Sequence, residues 1–246
     1  ALAPFALAGD GGLTQLVSLA PGGGQGNAAS GTGPIHGTAM TSDARYAAFV
    51  ATASNLVPGD TNGLFDVFRI DLDSGAIVRC NLGPAGVQSN DWCYLPSISA
   101  DGNFVAFNGL ADTLVPGDTN GFEDVFVRDV ASGVTERVSV SNTGAQGNFP
   151  SQSSSISADG RYVAFWSGAS NLSAFDGNGT GDIFVRDRLQ NRTLLLTIFP
   201  TGLQANSNSF APHINELGTH VAFASLATNL DFSDTNGVAD LFLYDL

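Results

Sequence analysis

The chain has 246 residues, with 9 Arg, no Lys and 23 acidic residues, for a net charge of -14. A balance this acidic argues against a nucleic-acid backbone or an anionic membrane surface as partner, because both need cationic neutralisation. Only 13% of residues are charged and 43% are hydrophobic, which is not the composition of a disordered chain. No apolar run approaches the roughly 20 residues of a membrane helix, so membrane insertion is not expected.

From the start of the chain, residues 1–8 are small and apolar, the pattern either of the tail of a processed export signal or of a structural arm. Beyond them a self-similar pattern takes over. Ala48-Phe49, Ala106-Phe107, Ala164-Phe165 and Ala222-Phe223 recur at steps of 58 residues without insertion. The same step carries Asp60 to Asp118, Asp176 and Asp234, and Phe68 to Phe126, Phe184 and Phe242. This gives repeat units of about 35–96, 97–154, 155–212 and 213–246 within a single domain 1–246.

Each unit reads as four strands. In the third, 155–157 is a short first strand, and Ala158-Asp159-Gly160 is a tight turn in which Asp bonds its own backbone and Gly takes positive φ. A second strand follows over 161–167, then a 14-residue loop, a third strand at 182–187 and a fourth at 193–197. Helical periodicity is absent. The second and third strands are apolar on both faces, as stacked blades require; a β-sandwich or a β-solenoid is the alternative. The last unit ends after its third strand. Residues 14–19 look like a fourth strand, followed by Gln25-Gly26-Asn27 as residues 135–140 are by Gln146-Gly147-Asn148. The expectation is an all-β, four-bladed β-propeller of four-stranded antiparallel blades. Residues 1–12 form an N-terminal arm, and 13–34 supply the closing strand and loop that lock the ring 3+1.

Ser157-Ala158-Asp159-Gly160, residues 161–165 and residues 182–187 together resemble the TolB-type, WD40-like (PD40) propeller repeat of bacterial exported proteins. The resemblance covers almost the whole chain. Units one and four depart from it, with Asp43-Ala44 and Leu217-Gly218 at the Asp-Gly turn. It implies a propeller fold, a secreted, periplasmic or cell-surface location and a protein-binding role.

The loop between second and third strands repeats the frame Asp-x-Asn-Gly-x-x-Asp. Its side-chain oxygens are Asp60, Asn62 and Asp66; Asp118, Asn120 and Asp124; Asp176, Asn178 and Asp182; Asp234, Asn236 and Asp240. The fifth position (Leu64, Phe122, Thr180, Val238) adds a backbone carbonyl. Hard oxygen donors around a Gly turn suit Ca²⁺, up to four ions, with water or a neighbouring loop completing each shell. Ordinary turn chemistry accounts for the same residues.

Cys80 and Cys93 depart together from repeat positions held elsewhere by Val138 and Leu196, and by Ser151 and Ser209. A local disulfide, implying an oxidising compartment, stands against two unrelated small residues. The long loops share one face with the repeats Gln25/Asn27, Gln88/Asn90, Gln146/Asn148 and Gln204/Asn206, and with Trp92 and Phe149. These amides would hold a polar ligand such as a glycan, or satisfy loop backbone. His36, His213 and His220 fall in no ligand or triad spacing, and no phosphate loop or nucleophile elbow is present. The leading expectation is therefore a non-catalytic, calcium-stabilised interaction or assembly module. A repeat lectin and a hydrolase with a site in the central tunnel are the alternatives.

Overall fold

The computed structural model describes residues 14–31, 37–199 and 201–246. The arm at 1–12 and His36 lie outside the described residues. The first sheet holds β1 (Thr38–Met40), β2 (Tyr46–Ala51), β3 (Asp66–Asp71) and β4 (Ile77–Arg79). The second holds β5 (Cys93–Ile98), β6 (Phe104–Gly109), β7 (Asp124–Asp129) and β8 (Val134–Arg137). The third holds β9 (Ser151–Ile156), β10 (Tyr162–Ser167), β11 (Asp182–Asp187) and β12 (Arg192–Leu195), and the fourth β13 (Ser209–Ile214), β14 (His220–Ser225) and β15 (Asp240–Asp245). In every sheet the strands are antiparallel and lie in chain order. The chain is all-β, with a three-residue 3-10 turn at Pro84–Gly86.

The innermost strands β1, β5, β9 and β13 and the turns after them line one cavity of about 490 Å³. Each sheet thus radiates from a shared axis and packs its face on the next. At every step one face supplies the β2-type and β3-type apolar residues and the fourth-strand residue. Ala164, Ile183, Val185 and Leu196 pack in this way on Ile214, Val221 and Phe223 of the fourth sheet. This explains why second and third strands are apolar on both sides. Moving each Ile or Val out of water contributes about 1.5–3 kcal/mol. Within each sheet a stacked Phe pair joins the middle strands: Phe49–Phe68, Phe107–Phe126, Phe165–Phe184 and Phe223–Phe242.

The tight turns form as expected. Ser157 Oγ donates to Asp159 at 2.6 Å, and Asp159 accepts the Arg161 N–H. Gly160 has φ 70°, and a Cβ there would run into the Phe104 ring of the preceding sheet. Two demands, backbone and packing, therefore fall on one glycine. In unit one Ala44 takes this left-handed position, at φ 57°.

Two expectations need correction. The first strand of unit three begins at Ser151, not Ser155. Its register shifts between Ala164 and Trp166 on the partner strand, with Ser153 at φ 58°. Leu95 and Ala211 are left-handed at the same repeat position. The bulge interrupts the period-two alternation that would have revealed the longer strand.

The 3+1 closing pair is also not formed. Among the described residues β15 pairs with β14 alone. Residues 14–19 instead lie on the first sheet, where Val17 packs with Phe49, Leu56 and Phe68.

Candidate functional site: the long-loop rim

The loops after β2, β6, β10 and β14 and those after β4, β8 and β12 emerge together, and the acidic frames occupy this rim. In all four frames the Asn side chain folds inward. Its amide NH₂ donates to the last Asp of the frame: Asn62 to Asp66, Asn120 to Asp124, Asn178 to Asp182 and Asn236 to Asp240. Its oxygen accepts the N–H of the fifth residue: Leu64, Phe122, Thr180 or Val238. The frame is therefore an Asx turn closed onto the start of the third strand.

What neutralises the carboxylates differs between units. In unit one Arg79 Nη1 lies 3.0 Å from Asp60 and 3.2 Å from Asp66. In unit two Arg137 Nη1 lies 2.8 Å from Asp118 and 3.0 Å from Asp124. All six side chains are at least nine-tenths buried. A guanidinium from the fourth strand thus sits between the two carboxylates of each of these frames. Burial still pushes Asp60 and Asp118 above the usual carboxylate range.

Unit three has Leu195 where Arg79 and Arg137 stand. Asp182 is fully buried. It accepts Thr197 Oγ1 at 2.5 Å and Asn178, but its Oδ2 has no partner. Burial pushes its pKa up to about 6. Asp176, also raised by burial, is held by Gln204 Nε2 at 2.9 Å. Thr180 Oγ1 nearby is buried without a partner as well. In unit four both carboxylate oxygens of Asp234 are buried and unpartnered. Groups of three or more His, Cys, Asp or Glu able to hold a metal ion do not occur among the described residues.

The Gln-x-Asn repeats pin loop to loop. Gln88 accepts the Thr61 N–H and donates to Gly59 O; Gln146 and Gln204 make the corresponding contacts to Thr119 and Gly177. Asn27, Asn90, Asn148 and Asn206 each accept from and donate to the loop after the next second strand: Ser54, Asp112, Ser170 and Thr228. Gln25 forms the same backbone bridge to Leu19 as Gln88 to Leu82, Gln146 to Val140 and Gln204 to Ile198. Trp92 meets Phe65 edge-on at 5.6 Å, and Phe149 meets Phe122 at 5.6 Å; both remain partly exposed.

The two cysteines are free and buried, so the expected disulfide is not formed. Each is explained separately. Cys80 occupies the inter-sheet core position of Val138 and Leu196. Cys93 replaces one serine of the Ser151–Ser167 and Ser209–Ser225 hydroxyl pairs, and Gly109 replaces the other. A Cβ on Gly109 would lie 3.0 Å from Cys93 Sγ. The concerted change is thus Cys93 with Gly109. Burial pushes the Cys80 thiol up to about 12 and raises Cys93 as well, so both stay protonated.

Two constellations escaped the sequence reading. Glu123 is buried, accepts the Tyr94 hydroxyl and is raised by burial. Its signal was available, since Phe65, Gly181 and Ala239 occupy its repeat position. In the central cavity Ser155 Oγ lies 3.3 Å from His213 Nδ1 and accepts the Ile214 N–H. Histidine ion pairs among the described residues are confined to His220 with Asp245.

No protein-family model matches the chain, and no curated protein matches it. Among solved structures it is similar to TolB from Acinetobacter baumannii, at 19% identity over 86% of this chain and 41% of that one, with a TM-score of 0.49. It is similar to the tricorn protease at 13% identity over 87% of this chain and 21% of that one, TM-score 0.49. An acylaminoacyl peptidase from Pyrococcus horikoshii is 15% identical over 86% of this chain and 30% of that one, TM-score 0.44. The chain spans less than half the length of these three proteins. TolB proteins thus stand among its structural neighbours, beside peptidases that share the same likeness, and the sheet pairing itself carries the fold.

Proposed function

We propose that the chain is a non-catalytic β-propeller module that engages a protein partner through its long-loop rim. One observation supports this most. The rim's repeated amides are spent on holding loops together, while aromatic side chains on the same loops stand in solvent. Phe175 is 74% exposed and Phe232 77%, beside the half-exposed Trp92 and Phe149. Exposed aromatics on rigidly pinned loops are the composition of a protein-binding surface. Export and a glycan-binding use of the rim belong to the same proposal only in second place, because the amides a sugar would need already have loop partners. A photo-cross-linking residue at Phe175, compared with one at Leu189 on the opposite face, tests the reading in cells of the native source. Protein adducts specific to position 175 are expected. Glycan-array binding abolished by Gln204→Ala, or adducts equal at both positions, would overturn it.

A second reading concerns the third frame. The position filled by a guanidinium in units one and two is held in unit three by Asp176 and Asp182 with no cation attached to the chain. We propose that Ca²⁺ takes that role there, held by these two carboxylates with Thr180 and Gln204 beside them; Ca²⁺ would supply the missing positive charge. Calcium should raise the melting temperature of the wild type at pH 7.5 and leave that of Leu195→Arg unmoved. Equal responses in the two proteins would reject the site.

A further inference from the structure

The two ends of the described fold carry matching halves of one interface. Between successive sheets the same four positions always meet the next sheet: Ala106, Val125, Val127 and Val138 on the third, and Ala164, Ile183, Val185 and Leu196 on the fourth. On the fourth sheet the corresponding Leu241 and Leu243 of β15 are 80% and 70% exposed, whereas Ile183 and Val185 are fully buried. The outer edge of β15 has no strand beside it among the described residues.

At the other end the complementary half is prepared. Residues 14–25 already have the conformation of a fourth strand and its exit turn. Leu19 N–H bonds Val17 O as Leu82 bonds Cys80, Val140 bonds Val138 and Ile198 bonds Leu196, and the bridge from Leu19 to Gln25 repeats at each unit. Val17 holds the fourth-strand place on the first sheet. What is missing beside it is the neighbouring third strand. Cys80, Val138 and Leu196 each donate their N–H to Val67, Val125 and Ile183; the repeat counterpart for Val17 is Leu241. Leu16 is 48% exposed, while its counterpart Leu195 is 8%. An apolar groove of about 400 Å³, lined by Val17, Met40, Ala47 and Phe49, lies alongside.

We infer that β15 of one molecule docks against residues 14–19 and the first sheet of a second copy, and reciprocally, so that two chains close one eight-bladed ring about a twofold axis. The chain itself supplies both faces, they sit at opposite ends of the row of sheets, and three internal joints show what covers each. Eight blades lie within the usual range of propellers, and the joint is self-complementary, as a twofold dimer demands. It also removes the open strand edge. This goes beyond the rim reading and stands on different residues, so failure of either leaves the other intact.

Light scattering of the 246-residue chain should give about 51 kDa, twice the 25.3 kDa of one chain. Leu241→Asp/Leu243→Asp should shift it to the single-chain mass with an unchanged far-ultraviolet dichroism spectrum; Leu189→Asp should not. The double variant Gln15→Cys/Leu243→Cys copies the register of Leu194 opposite Val185. It should yield a reducible covalent dimer that neither single variant gives. A single-chain mass for the wild type, a cross-link formed within one chain, or a dimer indifferent to both aspartates would each overturn the inference.

Discussion

The second and third sheets are built on one pattern, yet they solve the same electrostatic problem differently. Unit two buries Asp118 and Asp124 around Arg137, a cation tethered to the fourth strand. Unit three keeps both carboxylates and puts Leu195 where the guanidinium stood, leaving Asp182 Oδ2 without a partner. On the opposite face the difference runs the other way. Arg161 grips Asp187 there through two nitrogens, while unit two uses the neutral Asn103 against Asp129. A repeat therefore fixes where carboxylates go but not what balances them.

The sharpest way to break the comparison is Arg137→Leu, which gives unit two the residue of unit three. It strands two buried carboxylates at once. Removing one partner of a buried pair costs about 3–5 kcal/mol, so the urea midpoint at pH 7.5 should fall accordingly. At pH 5 the loss should be smaller, because Asp118, which burial already raises, can take up a proton. A loss below 1 kcal/mol at pH 7.5 would show that Arg137 neutralises nothing.

The third unit should show the complementary pH dependence. Asp182 has its pKa raised to about 6 from 3.8 by burial, so the folded state binds its proton more tightly than the unfolded chain. Its contribution is fully present below about pH 3.8 and is lost as pH rises through about 6. A difference of that size between folded and unfolded chain is worth about 3 kcal/mol. Asp71, Asp129 and Asp187 carry the opposite sign, since hydrogen bonds hold them low, and their stabilisation fades only as pH falls below the ordinary carboxylate range. Burial raises Asp60, Asp118, Asp176 and Glu123 as well, so between pH 4 and 7 substitution of Asp182 singles out its share. Calcium-free protein should be less stable at pH 7 than at pH 5, and Asp182→Asn should flatten that slope. Leu195→Arg should flatten it too and add about 1–3 kcal/mol at pH 7.5. A slope that survives both substitutions would place its origin elsewhere.

The repeat was legible because periodic Phe, Ala and Asp positions are read directly from the chain, and the inter-sheet core follows from strands apolar on both faces. The turn role of Asn62 and its three counterparts was legible as one of two chemistries, and geometry was needed to choose. Arg79 and Arg137 were invisible as partners of the frames, because the contact runs 13 residues and more along the chain, between a loop and a fourth strand. Closure was not legible for a physical reason. Residues 14–19 do have the fourth-strand pattern and conformation, but a pattern states which strand a segment resembles, not which sheet takes it up. The cysteines misled in the same way: Cys80 and Cys93 change together in one unit, while the covarying partner of Cys93 is a glycine, a residue that carries no chemical signal of its own.

That last pair gives the finest test of the comparison. In unit three Ser151 and Ser167 bond each other at 2.8 Å in a fully buried setting; in unit two the same space is shared by a thiol and a bare Cα. Cys93→Ser alone places a hydroxyl where Gly109 offers no oxygen to meet it, at a cost of about 1–2 kcal/mol. Gly109→Ser alone forces a Cβ to 3.0 Å from Cys93 Sγ, tighter than ordinary packing, and should cost a similar amount. The double variant rebuilds the hydroxyl pair of unit three and should recover most of the loss, giving a coupling energy of about 2–3 kcal/mol in a double-mutant cycle. Cys80→Val, by contrast, should couple to neither change, because Cys80 serves only the inter-sheet core. Additive losses at Cys93 and Gly109, or coupling of Cys93 to Cys80 under oxidising conditions, would show that the second sheet is organised around its thiols after all.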